Sequence, residues 1–221
     1  MKAIVIGGTG ATGKELVTQL LNDTRFKEVT ALVRRPYFGG HIKLKEIIVD
    51  FDKLEEYIDD IQGDVAFSCL GTTLKDAGGK EAQWRVDHDY QLKFAALCKE
   101  SGVDSFILLS AAGADSKSMI FYNKMKGTLE ESVKALGFNK LLIIHPGAID
   151  RPNTTRTGEK WMIKVLRSLN SVGILRGYAA ISTKRLALAM INAYFSYQET
   201  CKIVNLKEIK SISKSWTHHT G

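Results

Sequence analysis

Met1-Lys2-Ala3-Ile4-Val5-Ile6 runs straight into Gly7-Gly8-Thr9-Gly10-Ala11-Thr12-Gly13. The apolar run bounded by glycine reads as a short buried strand. Behind the glycines, Leu16, Val17, Leu20 and Leu21 recur at helical spacing. Strand, glycine turn and helix together make an anion trap. Glycine lets the backbone turn sharply and approach a pyrophosphate closely. The helix start points unpaired N–H groups and the positive end of its dipole at the phosphates. Three readings of the glycines stand open. Gly8, Gly10 and Gly13 fit the dinucleotide fingerprint G-x-G-x-x-G, and Gly7, Gly10 and Gly13 fit the wider G-x-x-G-x-x-G. Gly8 to Lys14 comes near the P-loop G-x-x-x-x-G-K. That loop needs Ser or Thr next to hold magnesium, and Glu15 stands there instead, a carboxylate that repels a triphosphate.

Working outward, short apolar runs alternate with longer helical patterns. Strands are predicted near Lys2–Ile6, Val29–Val33, Glu46–Val49, Asp64–Ser68, Ser105–Leu109 and Lys140–Ile144. Between them, Val86, Tyr90, Phe94 and Leu97 form one helical stripe, and Tyr122, Met125, Leu129, Val133 and Leu136 another. The alternation predicts a three-layer α/β/α Rossmann fold, a doubly wound parallel sheet covered on both faces. Its ligand belongs at the strand ends, which here carry Gly, Ser, Thr and Pro. After Pro146 the pattern changes. Residues 151–158 (RPNTTRTG) read as a polar loop, Trp161–Leu169 as an amphipathic helix, and Ser182–Tyr197 as a strong helix opened by a Ser or Thr cap. Ile203-Val204 adds a last short strand. The expected organisation is a single dinucleotide-binding domain over 1–206, with a small substrate lobe over 147–200. A loosely held tail is expected over 207–221, where periodicity is weak. Trp161, Met162 and Tyr178 are candidates for an apolar lid or for core.

The chain of 221 residues suffices for one sizeable core. Its apolar start breaks at glycine after six residues, so no secretory signal is expected. No run approaches the roughly 18 apolar residues of a membrane span. Cys69, Cys98 and Cys201 are odd in number and far apart, which suits neither a disulfide framework nor a metal site and fits a reducing cytoplasm. His41, His88, His145, His218 and His219 lack metal-ligand spacing, so no metal is expected. The formal charge of +7 admits a polyanionic partner. The lysines are scattered along amphipathic helices without a dense basic block, however, so they read as a solvated surface and no nucleic acid is expected.

The second strand identifies the dinucleotide. An acid about 20 residues past the glycines binds the 2′-hydroxyl of NAD, whereas arginine there accommodates the 2′-phosphate of NADP. This strand ends Ala31-Leu32-Val33-Arg34-Arg35-Pro36, with no acid and two guanidiniums, which bind phosphate oxygens as charged forks. NADP is favoured over NAD. Asp50-Phe51, after the third strand, either contacts the adenine or lets Asp50 cap the next helix. At the other end, Ser110 closes the fifth strand, and Tyr122 and Lys126 follow at i, i+4, a spacing that puts both on one helix face. A nearby ammonium favours the phenolate. Such a tyrosine exchanges a proton with a substrate oxygen while hydride moves to or from a nicotinamide, and the serine hydroxyl holds the same oxygen. Tyr-x-x-x-Lys alone is a common coincidence; its place after the fifth strand, twelve residues past a strand-end serine, is what gives it weight.

Gly7–Gly13, Ser110, Tyr122 and Lys126 together resemble the short-chain dehydrogenase/reductase superfamily. Cys69-Leu70-Gly71-Thr72-Thr73, Arg85-Val86-Asp87-His88-Asp89-Tyr90 and Leu109-Ser110 with Gly113-Ala114-Asp115 resemble its atypical branch, around the Tat-interacting oxidoreductase-like and NmrA-like proteins. The resemblance runs from Met1 to about Gly158. It implies that the glycine loop with Thr9, Gly10, Ala11 and Thr12 holds the pyrophosphate and that Arg34 and Arg35 hold the 2′-phosphate. Cys69, Leu70, Gly71 and Thr72 would line the cofactor's middle, and Pro146, Gly147, Ala148 and Ile149 would border the nicotinamide. Tyr122 would be the general acid/base, with Lys126 binding the nicotinamide ribose and tuning it. Many members carry asparagine where Asp87 stands here, so the charge at that point departs from the pattern.

The expected function is an NADP-dependent oxidoreductase acting on a small carbonyl or alcohol, as a monomer or homodimer. The alternative is a non-catalytic NADPH-binding regulator. An epimerase or dehydratase with bound NAD fits less well, because of the arginine pair and the short chain.

Overall fold

A computed structural model describes residues 1–150 and 180–214. The chain begins with β1 (Lys2–Ile6), α1 (Ala11–Asn22), β2 (Glu28–Val33) and β3 (Leu44–Ile48), then a 3₁₀ segment over Phe51–Asp60 and β4 (Val65–Ser68). Two short helices follow, α2 (Leu74–Ala77) and α3 (Lys80–Trp84). A π-helical turn, Arg85–Asp89, leads into α4 (Tyr90–Glu100). Then come β5 (Ser105–Leu109), α5 (Phe121–Ala135), β6 (Lys140–Ile144) and β7 (Ile149–Asp150). Past the undescribed stretch lie β8 (Ile181–Ser182), α6 (Thr183–Ser196), β9 (Cys201–Val204) and α7 (Leu206–Ile212).

The main sheet has the order β3-β2-β1-β4-β5-β6-β9, and every pairing in it is parallel. The order reverses between β1 and β4, opening a crevice at their carboxyl ends where such sheets bind ligands. Both faces of the central strands are buried, which is why β1, β4, β5 and β6 are largely apolar, whereas the edge strands β3 and β9 are partly exposed and carry Lys45, Glu46 and Lys202. Ala3 and Val5 of β1 join one core cluster with Leu16, Val17 and Leu20 of α1 and Leu186 and Met190 of α6. Ile4 and Ile6 point the other way, into a cluster with Phe94 of α4 and Leu129 and Val133 of α5.

Two expectations are corrected. The stripe from Val86 to Leu97 is not one α-helix: the π-turn shifts the phase, leaving Val86 half-buried and burying Asp87 and His88. Helix α6 packs on α1, and Gln19 Nε2 donates to the Lys184 carbonyl across that contact. The tail does not loosen at Lys207. Asn205 accepts from the amides of Lys207 and Glu208, Glu208 accepts from the Asn205 amide, and Ile209 is buried. Residues 151–179, with Trp161, Met162 and Tyr178, and residues 215–221 lie outside the described residues.

Candidate functional site

The glycine turn sits at the β1 carboxyl end, and the structure selects among its three readings. Gly7 has φ +71°, and a Cβ there would lie 2.4 Å from the Cys69 carbonyl carbon. A Cβ on Gly13 would lie 2.1 Å from the Gly7 carbonyl oxygen. At Gly8, by contrast, an added Cβ would meet only side chains, Val17 at 3.2 Å and the Phe38 ring at 3.5 Å. The essential set is therefore Gly7, Gly10 and Gly13, with the Gly10 amide donating to the Gly7 carbonyl at 2.9 Å. Gly10 caps α1 without a side-chain bond, so Ala11, Thr12 and Gly13 open the helix with amides free to meet an anion.

Beside this turn lies a cleft of about 370 Å³ bordered by Gly7, Thr9, Gly10, Arg34, Arg35 and Phe51. Cys69, Leu70 and Gly71 close it from the β4 end. Arg34 and Arg35 are exposed and make no ion pair with a described residue. Lys14 and Tyr37 also line the cleft, the ammonium lying 4.7 Å from the ring centroid. The sequence reading missed both; the position of Lys14 directly after Gly13 was the available signal. Glu46 fixes the Tyr37 turn by accepting the amides of Tyr37 and Phe38 at 2.8 and 3.1 Å. Of the two roles weighed for Asp50, the capping one is seen: its carboxylate accepts the Asp52 amide at 3.0 Å. Burial pushes the Cys69 thiol up to about 12, and its Sγ lies 3.9 Å from Met190 Sδ.

The ends of β5 and β6 are built differently. Lys126 and Asp87 form a buried ion pair at 3.1 Å. Asp87 also accepts the Thr72 amide at 2.7 Å, which ties the π-turn to the end of β4. One turn beyond Lys126 on α5, the buried Glu130 takes two donors on Oε1: the Ser110 hydroxyl, and His145 Nε2 at 2.7 Å. Ser110 and Lys126 thus reach the same end of the crevice, each held by a carboxylate. With its proton directed at Glu130, Ser110 presents lone pairs to a ligand. Tyr122 lies in the first turn of α5, 39% exposed, and makes no hydrogen bond with a described residue. It therefore stands outside that buried cluster. Pro146, Gly147, Ala148 and Ile149 run from β6 into β7, with the Pro146 carbonyl accepting the Ala112 amide and that of Ala148 the Ile181 amide. Glu130 and His145 were not read as site residues from the sequence. Among the described residues no three His, Cys, Asp or Glu side chains gather as a metal site. No helix there is long and apolar enough to cross a membrane.

A doubly wound sheet with a glycine cradle at its switch point defines a dinucleotide-binding protein of the Rossmann class. Comparison with known proteins makes the assignment specific: residues 7–160 match the NAD(P)H-binding family, and the chain belongs to it. It is 37% identical over 194 residues to protein HTATIP2 of Rattus norvegicus, covering 85% of this chain and 78% of that one. It is 34% identical over 163 residues to the mitochondrial protein FMP52 of Saccharomyces cerevisiae, covering 72% and 71%. Among solved structures, MoeE5 in complex with UDP-glucose and NAD superposes with TM-score 0.70 at 16% identity, over 98% of this chain and 82% of that one. A UDP-glucose 4-epimerase from Thermotoga maritima does so with TM-score 0.67 at 13% identity, over 99% and 84%. At these identities the two likenesses show a shared fold.

Proposed function

We propose that the chain is an NADP-dependent oxidoreductase acting on a small carbonyl or alcohol. The observation that carries the cofactor preference is that Arg34 and Arg35, unpaired with any described residue, stand with Lys14 in the same cleft as the glycine cradle. The fit of a dinucleotide is supported by the turn itself: Gly7 and Gly13 admit the close backbone packing that a Cβ would block, and α1 opens behind it with no side-chain cap on its first amides. When bound, the cofactor supplies or takes a hydride. Gly7, Thr9, Gly10, Ala11, Thr12 and Gly13 would hold the pyrophosphate, and Arg34 and Arg35 the 2′-phosphate. Phe51 would contact the adenine, the Cys69–Thr72 stretch would line the middle, and Pro146–Ile149 would border the nicotinamide end. Tyr122 passes a proton to or from the substrate oxygen, and Ser110 meets the same oxygen. Lys126 would lie by the ribose, its charge balanced by Asp87. Thermal shift and turnover with a panel of aldehydes, ketones and quinones test this reading. Tyr122→Phe removes turnover and keeps NADPH binding, and a mutant as active as wild type refutes the acid/base role.

A second reading, an NADPH-binding regulator without turnover, is favoured by the pairing of Ser110 with Glu130 and of Lys126 with Asp87. Wild-type inactivity across the panel, with NADPH binding intact, would decide for it. Cysteine usage suits a reducing compartment and we place the chain in the cytoplasm; the fungal relatives are named mitochondrial, and fractionation of the native cell distinguishes the two.

A further inference from the structure

The strand ends hold a charge that the proton step does not use. Asp87 and Lys126 cancel as an ion pair. Glu130 receives its two hydrogen bonds from a neutral hydroxyl and from an imidazole. The imidazole donates through its N–H. With histidine counted as neutral, Asp87, Lys126 and Glu130 sum to one net negative formal charge behind the ends of β5 and β6. Glu130 is 4% exposed, so solvent and salt screen it poorly.

This charge bears on the cofactor, given the reading above that the nicotinamide lies beyond Ser110 and Pro146. The oxidised ring is a cation and the reduced ring is neutral, whereas the phosphates and riboses are the same in both forms. Charge near the ring is what separates the two forms. We infer that Glu130 is a specificity-determining residue for the oxidation state of the bound dinucleotide, its buried carboxylate favouring the oxidised form. His145 is the positioning residue: its Nε2 and the Ser110 hydroxyl share Oε1 and hold the carboxylate at the crevice wall. A chain with this bias shifts the on-enzyme equilibrium toward carbonyl reduction if it turns over, and reports the oxidised fraction of the cofactor pool if it does not.

Isothermal titration calorimetry of the full chain with NADP⁺ and with NADPH, at about pH 8, tests it without any substrate. Glu130→Gln keeps an acceptor for both donors and removes the charge. The ratio of the two Kd values then moves about tenfold toward NADPH, the scale of one poorly screened charge at close range. Asp87→Asn also brings the sum to zero and moves the ratio the same way, so it decides the matter if Glu130→Gln does not fold. Glu131→Gln, the same change at the next, exposed position, leaves the ratio alone. An unmoved ratio in folded Glu130→Gln, or in Asp87→Asn where that variant decides, overturns the inference while the cofactor reading stands, provided both forms still bind. Wild-type protein that binds neither form overturns the cofactor reading, and the inference with it.

Discussion

The two ends of the crevice are prepared in opposite ways. At the end of β2, Arg34 and Arg35 stand exposed without a described partner, and Lys14 rests on an aromatic face. At the ends of β5 and β6, Lys126, Asp87 and Glu130 are buried and each has a partner. Exposed cations cost the fold little and gain when an anion arrives. Buried charges are tolerated only while paired, because each lone ion in the interior carries a desolvation penalty of several kcal/mol. The first end waits for its ligand, whereas the second is complete without one.

The largest test of that contrast lies at the buried end. Lys126→Ala leaves Asp87 ionised at 1% exposure with the Thr72 amide as its remaining polar contact, so unfolding in urea should show a loss of about 3–5 kcal/mol. Lys14→Ala at the open end should cost under about 0.5 kcal/mol, as exposed charges do. Equal losses would break the comparison. Next comes the cradle. Gly13→Ala drives a methyl to 2.1 Å from the Gly7 carbonyl oxygen, where the nearest atoms are backbone and cannot step aside. A loss of about 1–3 kcal/mol in stability and the disappearance of dinucleotide binding are expected. Gly8→Ala, facing a movable Val17 methyl and the edge of the Phe38 ring rather than backbone, should be nearly silent in both measurements. Smaller again is the arginine pair. Arg34→Ala with Arg35→Ala should weaken NADPH about 10- to 100-fold, the worth of one or two charge-assisted contacts, and leave NADH almost unchanged. Equal weakening of both cofactors would remove the 2′-phosphate assignment.

The open end was legible from sequence because its signals are local. A strand, its turn and the next helix start lie within about twenty residues, and the arginines follow at the strand end, where the fold places the ribose. The core strands were legible because a parallel sheet buried on both faces leaves unbroken apolar runs such as Phe106-Ile107-Leu108. The buried end was only half legible. Lys126 and Glu130 share a helix face by their spacing, but Asp87, Ser110 and His145 come from three other segments, and no periodicity links a residue to a partner across the sheet. The π-turn hid Asp87 further, because the expected α-helical phase put Val86 inward instead. The tail was misread for a different reason. Its Asn205–Glu208 capping box is written in the sequence, but one short helix with a single buried apolar residue, Ile209, shows almost no period.

The smallest effect concerns Cys69, which lies between the two ends. Burial pushes its thiol up to about 12 from a usual value of 9.0, so the thiolate is scarce at neutral pH despite its place on the cleft wall. The exposed Cys201 should alkylate first with iodoacetamide at about pH 8, with Cys69 following slowly and more slowly still once NADPH fills the cleft. Equal rates for the two thiols would show that the middle of the crevice is wetter than its packing against Met190 implies. The same shift has a sign in stability. Between the ordinary and the raised value the folded chain keeps a proton that the unfolded chain has released, so unfolding free energy falls as pH rises across that window. Cys98, buried and raised by the same cause, adds to the slope. Cys69→Ala should flatten part of it in alkaline denaturant titrations, leaving the remainder to Cys98 and to Tyr90, whose phenol burial also raises to about 12.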